Sequence, residues 1–282
     1  MITYKKLDNG FEYLEVQNEH AEAKIALQGA HIFHYQTKGE EPLLWLSEKA
    51  YFQEGKAIRG GVPICFPWFG PHKYDATLPQ HGFARNQEWS YMAKYELSDG
   101  ATHVQLMLTP NEETRALWEY NFVLVYDVIV GKELTLELTT INSDTEPFDV
   151  TQALHTYLNV SDIENVSVQG LEETVFYNSL DGSLEKQQSA VTIKEEVDRV
   201  YFDGSSKVTL EDKEREIILN QSGSNSLVVW NPWKEKSETM ADMSNDGYKT
   251  MLCLETANAH KDFVLLNPND VHTLKVTIWE KN

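Results

Sequence analysis

Cysteine is nearly absent: Cys65 and Cys253 are the whole complement of a 282-residue chain. Two isolated thiols cannot form a disulfide framework, so a core must hold the fold, and a free-thiol protein of a reducing compartment is expected. Basic residues are also scarce, with 24 Lys and Arg against 44 Asp and Glu and a formal net charge of −20. Such a surface repels phosphate backbones and anionic lipid, which argues against nucleic-acid and membrane-surface partners. No run approaches the ~18 apolar residues of a spanning helix. Met1 to Gly10 carries Lys5, Lys6 and Asp8 with no apolar stretch behind them, so no signal peptide is expected. A cytoplasmic protein, monomeric or weakly oligomeric, is the expectation.

Several chemical signatures are missing too. No GxGxxG opens a helix and no GxxxxGK[ST] occurs, which argues against dinucleotide and P-loop sites. His31 and His34 are three apart, but no cysteine pair or HExxH spacing supports them, so no metal is expected. Neither a serine nor a cysteine stands in a nucleophile-elbow context. Long 3.6-residue periodicity is rare; Glu112 to Tyr120, opened by Pro110-Asn111, is the best helical candidate.

What the chain has is alternation. Leu134–Leu138, Val104–Leu108 and Leu274–Ile278 alternate apolar and polar residues, and Phe122–Val130 is a nearly continuous run that reads as a strand covered on both faces. The pairs Asp99-Gly100, Asp181-Gly182, Asp203-Gly204 and Asp246-Gly247 punctuate these segments as turns. Strands spread over the whole length, without a linker or composition break, predict an all-β fold of one domain over 1–282: a large antiparallel β-supersandwich with few short helices.

Chemistry concentrates in four places. Ile58 to His72 packs three glycines and three prolines into an apolar, aromatic stretch; fixed backbone geometry of this kind suits the wall of a hollow or a packed plug. Gln80, His81 and Arg85 set neutral and cationic donors within one short turn, suited to sugar hydroxyls or an anion. His155 lies in Leu154-His155-Thr156-Tyr157. Glu255 follows four apolar residues, Met251 to Leu254, that read as a buried strand. A carboxylate there must be paired, hydrogen-bonded or functional, because burial penalises its charge. A histidine and a carboxylate can serve as acid and base near neutral pH.

Arg59-Gly60-Gly61-Val62-Pro63, Phe66-Pro67-Trp68-Phe69-Gly70, His81-Gly82-Phe83-Ala84-Arg85, Leu154-His155-Thr156-Tyr157 and Cys253-Leu254-Glu255, in that order, resemble the hexose-6-phosphate mutarotases (glucose-6-phosphate 1-epimerases) of the galactose mutarotase-like superfamily. Val229-Trp230-Asn231-Pro232-Trp233 and Asp198-Arg199-Val200-Tyr201 fit the same pattern. Glu255 is followed by Thr256-Ala257-Asn258, where other members carry Pro-Gly after the glutamate. The resemblance implies a sugar in an open cleft on one sheet and no cofactor. It implies Glu255 as general base and His155 as general acid, with substrate held by Arg59, Gln80, His81, Arg85 and Asp198, and Asp203 as the competitor for the last role. His81 would stand near the ring oxygen. Arg59 and Arg85 together would clamp the phosphate of a hexose 6-phosphate, and Trp68 and Trp233 are candidates for stacking on the sugar. The alternative from a different class is a non-catalytic carbohydrate-binding or sugar-sensing protein on the same fold. A two-carboxylate glycoside hydrolase ranks last, since only one buried carboxylate stands out.

Overall fold

The alternating segments are strands, and they pair into two large antiparallel sheets; the computed structural model describes residues 1–213 and 215–281. Nine strands form one sheet in the order Val191–Thr192, Val166–Gln169, Lys207–Asp212, Arg215–Ser222, Val271–Lys281, Leu134–Asn142, Phe122–Val130, Thr102–Leu108, Ser90–Glu96. The second runs Leu184–Lys186, Val175–Asn178, Val197–Phe202, Ser226–Asn231, Met251–Asn258, Gln152–Leu154, Ile64–Cys65, with Tyr157–Asn159 also paired to Met251–Asn258. Four N-terminal strands between Ile2 and Thr37 make a third sheet in sequence order. Asp99-Gly100 and Asp181-Gly182 sit in hairpin connections, as their turn chemistry requires.

Period-2 geometry decides which residues meet. Leu136, Leu138, Val276 and Ile278 of the nine-stranded sheet share one core with Leu252 and Leu254 of the other sheet and with Leu14, Val16 and Ile25 of the third. Phe122–Val130 is a strand, but it is not covered on both faces. Its burial alternates, with Phe122, Leu124, Tyr126, Val128 and Val130 inside and Val123, Val125, Asp127 and Ile129 half-exposed. An antiparallel sheet needs only one face covered, and the outward β-branched side chains here are tolerated as strand formers rather than as core.

Strand Met251–Asn258 differs: all eight residues are buried. Leu252 and Leu254 point into the main core, whereas Met251, Cys253 and Ala257 join a second cluster with Trp45, Tyr157, Val200, Val228 and Trp230. Glu255 shares the parity of this second cluster, and so it points away from the sandwich core.

The helix begins at Glu112, where Asn111 accepts from the Thr114 N–H and the Thr114 hydroxyl accepts in return from the Asn111 N–H. It ends at Leu117, three residues short of the expected Tyr120, because Trp118 is extended (φ −157°) and packs on Phe148 at 4.8 Å between ring centres. A second short helix, Trp233–Thr239, follows the Asn231-Pro232 step.

Candidate active site

The proline- and glycine-rich segment supplies the site's framework. Within Ile58–His72 only Ile64–Cys65 is a strand, and it pairs with Ala153 and Leu154. Gly61 has φ +60°, and a Cβ there would stand 2.3 Å from the Ile32 carbonyl oxygen, so the ribbon lies against the third sheet at a distance only glycine allows. From that position the Gly61 and Pro63 carbonyls accept the N–H groups of Tyr157 (2.9 Å) and His155 (3.0 Å). The loop thereby holds the backbone from which the His155 side chain projects.

His155 and Glu255 meet. Nδ1 of His155 is 3.4 Å from Oε1 of Glu255, and the two residues are 7% and 1% exposed. That contact is within ion-pair range but does not form a hydrogen bond; Nδ1 and the other carboxylate oxygen, Oε2, have no partner in the protein. Three rings stack in a column behind the pair: His155 lies parallel to Tyr157 (4.9 Å, 8°), and Tyr157 lies nearly parallel to Trp45 (5.9 Å, 18°). Trp230 meets His155 and Tyr157 edge-on, both at 6.0 Å.

Burial dominates the electrostatics. It raises the Glu255 carboxyl well above the ordinary glutamate range, helped by the charge of Asp198 and opposed by Arg85. It lowers His155 well below the usual imidazole value, with His81 and then Arg85 and Arg59 pushing in the same direction. Both shifts favour the uncharged form of each group, the neutral imidazole and the protonated carboxyl.

His81 occupies a left-handed position (φ +64°), and its ring is 5.6 Å from that of His155. Its Nδ1 accepts the Gly70 N–H at 3.1 Å, which puts the proton of the neutral ring on Nε2. Burial, with Arg85 and Arg59 nearby, pushes its pKa down to about 3. His81 is thus a neutral donor.

Arg85 sits in the short turn Ala84–Asn86, and its guanidinium donates to the Gln80 carbonyl at 2.7 Å. Its Nε is buried without a partner, and no carboxylate among the described residues lies within ion-pair distance. Gln80 itself is exposed and meets Arg85 only through its backbone.

Arg59 is differently placed from the expected clamp. Its Nε and one terminal nitrogen both lie 3.1 Å from Oδ2 of Asp242, and its other terminal nitrogen donates to the Tyr157 hydroxyl at 2.9 Å. Its charge is already matched, so it does not form a symmetric cationic pair with Arg85. Asp242 was not among the sequence candidates; no motif marks it, and 183 positions separate it from Arg59.

Asp198 shares the parity of Val200 and Phe202 on its strand, and so faces the same side of the sheet as Glu255, two strands away. Burial raises its pKa, against a hydrogen bond from Ser179. Asp203 is exposed at the strand's far end and lies 3.4 Å from Lys261, outside the face that Asp198 shares with Glu255. Trp68 and Trp233 do not reach the site. Trp68 is buried against Phe83 with its indole N–H on the Pro79 carbonyl, and Trp233 packs on Tyr248. The aromatics that pack directly on its histidines are Tyr157 and Trp230 on His155 and Phe69 on His81.

A model of the aldose 1-epimerase family matches residues 12–279. The chain belongs to the aldose 1-epimerase family. A protein of Escherichia coli strain K12 that carries the provisional name glucose-6-phosphate 1-epimerase is 38% identical over 263 residues, covering 92% of this chain and 87% of the relative. A crystal structure from Salmonella typhimurium, titled provisionally as a mutarotase, superposes with TM-score 0.93 at 34% identity over 100% of this chain and 94% of that one. A galactose mutarotase related enzyme from Lactobacillus acidophilus gives TM-score 0.75 at 15% identity over 96% and 97% of the two chains, which establishes the shared fold. This family member is accordingly an isomerase with the galactose mutarotase-like architecture.

One further grouping concerns metal. Ligand atoms of His155, Cys253 and Glu255 lie within 4.8 Å of one another, all three residues buried. A metal ion held there would occupy the two groups that the acid–base reading needs free, and burial raises the Cys253 thiol well above its usual value, away from the thiolate a metal prefers.

Proposed function

We propose that the protein interconverts the α and β anomers of hexose 6-phosphates, glucose 6-phosphate among them, on the sheet face that carries His155 and Glu255. The observation that carries this reading is the buried His155–Glu255 pair, 3.4 Å apart with an unpartnered polar atom on each group. With the proton on His155, the carboxylate takes the proton of the C1 hydroxyl while the imidazolium protonates the ring oxygen, and the C1–O5 bond opens. The proton then rests on Glu255 and His155 is neutral, the arrangement that burial favours. Rotation about C1–C2 presents the other face of the aldehyde, and ring closure returns each proton by the same path. One proton on two groups is the whole requirement; no redox group enters the balance.

His81, with its proton on Nε2, is positioned to donate to the substrate beside His155. Arg85 supplies the positive charge for phosphate, Arg59 the hydroxyl contacts, and Asp198 accepts from hydroxyls further along the sheet; Gln80 holds Arg85 through its carbonyl. The reading treats the chain as one domain, supported by a core that runs from Leu14 to Ile278. It places the protein in the cytoplasm, where hexose phosphates are found.

Anomer exchange on glucose 6-phosphate, followed by NMR, tests the reading. Glu255→Gln and His155→Ala each remove one proton-transfer group and are expected to slow exchange by roughly 10²–10⁴-fold. Unchanged exchange in both variants would remove these residues from the mechanism, and sugar binding without any acceleration of exchange by the unsubstituted protein would favour the non-catalytic sugar binder.

A further inference from the structure

The two arginines of the cleft are not equivalent, and the reason lies outside every motif in the chain. Asp242 lies on the loop after the helix Trp233–Thr239 and is held in register with Arg59 by a third residue. The Ser47 N–H donates to the Arg59 carbonyl at 3.0 Å, and the Ser47 hydroxyl donates to the Asp242 carbonyl at 2.7 Å. One serine therefore fixes both backbones, and the side chains close the arrangement with two contacts of 3.1 Å from guanidinium nitrogens to one carboxylate oxygen. The pair is largely buried, with side chains 26% and 16% exposed. A salt bridge this enclosed is weakly screened, so it cancels most of the field that Arg59 would project into the cleft. Arg59 keeps two N–H bonds uncommitted, one on each terminal nitrogen, and remains a donor. Among the described residues, Arg85 has no such counter-charge.

We propose that Asp242 is a specificity-determining residue: by neutralising Arg59 it makes that side of the cleft a reader of sugar hydroxyls and leaves Arg85 as the cation that binds phosphate. The inference rests on the hexose 6-phosphate reading above and adds to it which charge selects the phosphate and which residue keeps that selection moderate. Phosphate affinity should then follow the net charge of the 59/242 pair. Tighter binding of a phosphate common to substrate and product gains nothing for the chemical step, because uniform binding lowers KM without raising kcat.

The experiment uses inorganic phosphate as a competitive inhibitor of anomer exchange and compares glucose 6-phosphate with glucose. Asp242→Asn keeps an acceptor for both Arg59 nitrogens but raises the net charge by one; it is expected to tighten phosphate inhibition and lower KM for glucose 6-phosphate by about tenfold, the order expected of one unit charge acting in a partly solvated site. Its kcat on glucose 6-phosphate should change far less than its KM, and its kcat/KM on glucose far less than that on glucose 6-phosphate. Arg59→Gln should weaken phosphate inhibition, and the double variant Arg59→Gln with Asp242→Asn, again neutral, should return it toward the starting value. Asp242→Ala makes the same charge change and serves if the asparagine variant does not fold. A merely structural role for Asp242 predicts weaker phosphate binding in every variant and no recovery in the double, and that result overturns the proposal. If the unsubstituted protein is itself indifferent to phosphate and uses glucose as well as glucose 6-phosphate, the substrate reading fails, and this inference with it.

Discussion

At the residue scale, the catalytic proposal turns on one shared proton. The competent form of the His155–Glu255 pair holds one; a second leaves no base and removal of the first leaves no acid. Because His155 is held well below its ordinary value and Glu255 well above its own, kcat is expected to be flat through neutral pH. It should fall only on the acid side of the free-histidine value and on the alkaline side of neutrality. A kcat profile with a midpoint near 6.5 would show that His155 titrates as an exposed imidazole and is not in this environment. Arg85 makes a separate prediction. Arg85→Ala should reduce kcat/KM for glucose 6-phosphate by at least about 30-fold, in line with ~2 kcal/mol for a charge-assisted contact, while glucose changes far less. Measured side by side, equal losses on both sugars would deny Arg85 the phosphate. His155, Glu255 and Arg85 were legible because each combines an unusual residue type with an unusual setting. Asp242 and the outer side of Tyr157 were not, since what they contact is set by chain segments far away in sequence.

At the scale of elements, the strand Met251–Asn258 and the ribbon Ile58–His72 divide the work. The strand is central, with both neighbours hydrogen-bonded and both faces covered, and this is why a carboxylate on it loses its solvent. The ribbon and the turn that crosses it depend on glycine. At Gly82, φ is +70° and a Cβ would lie 2.0 Å from the Phe66 carbonyl oxygen, so the neighbouring His81 is held by a crossing that no side chain can enter. Gly82→Ala is expected to destabilise the fold by about 3 kcal/mol or more, through left-handed strain and backbone overlap together. A urea titration would read this as a lower midpoint at unchanged slope. Asn111→Ala, which removes the helix cap but touches nothing in the cleft, should cost about 1 kcal/mol and leave anomer exchange unaltered. The glycine spacing signalled an irregular, constrained wall. What the wall would be pressed against, the Ile32 strand at Gly61 and the Gly82 turn at Phe66, could not be read, because those segments are set against it only by the tertiary fold.

At the scale of the whole molecule, buried histidines tie stability to pH. His31, wholly enclosed with one nitrogen on the Gly60 carbonyl at 2.7 Å, is pushed down to about 4 by burial, and His81 to about 3. Below the unfolded value of 6.5, the unfolded chain takes up protons that the folded protein refuses, so stability rises with pH from the folded values up to about 6.5 and is constant above. Between the unfolded glutamate and histidine values the His155 and Glu255 shifts act on stability in opposite directions. His31 alone is therefore expected to remove about 2 kcal/mol between pH 6.5 and pH 5. Chemical denaturation at several pH values checks this, and His31→Gln should flatten the acid slope; an acid slope unchanged in that variant would assign it to other groups.

Composition and period-2 alternation determined by themselves that the chain would form antiparallel sheets, because alternation has only one way to bury its apolar half. They also singled out Glu255 as a carboxylate too deep to be idle, since desolvation follows from its position in the apolar run. Tertiary structure decided the rest: which face Glu255 took, that His155 would stand 3.4 Å away from it, and that one of two arginines would be neutralised by Asp242 while the other was not. The physical reason is range. Hydrophobic periodicity is local along the chain, whereas a charge acts through space, and its partners are chosen only when the strands have been brought together.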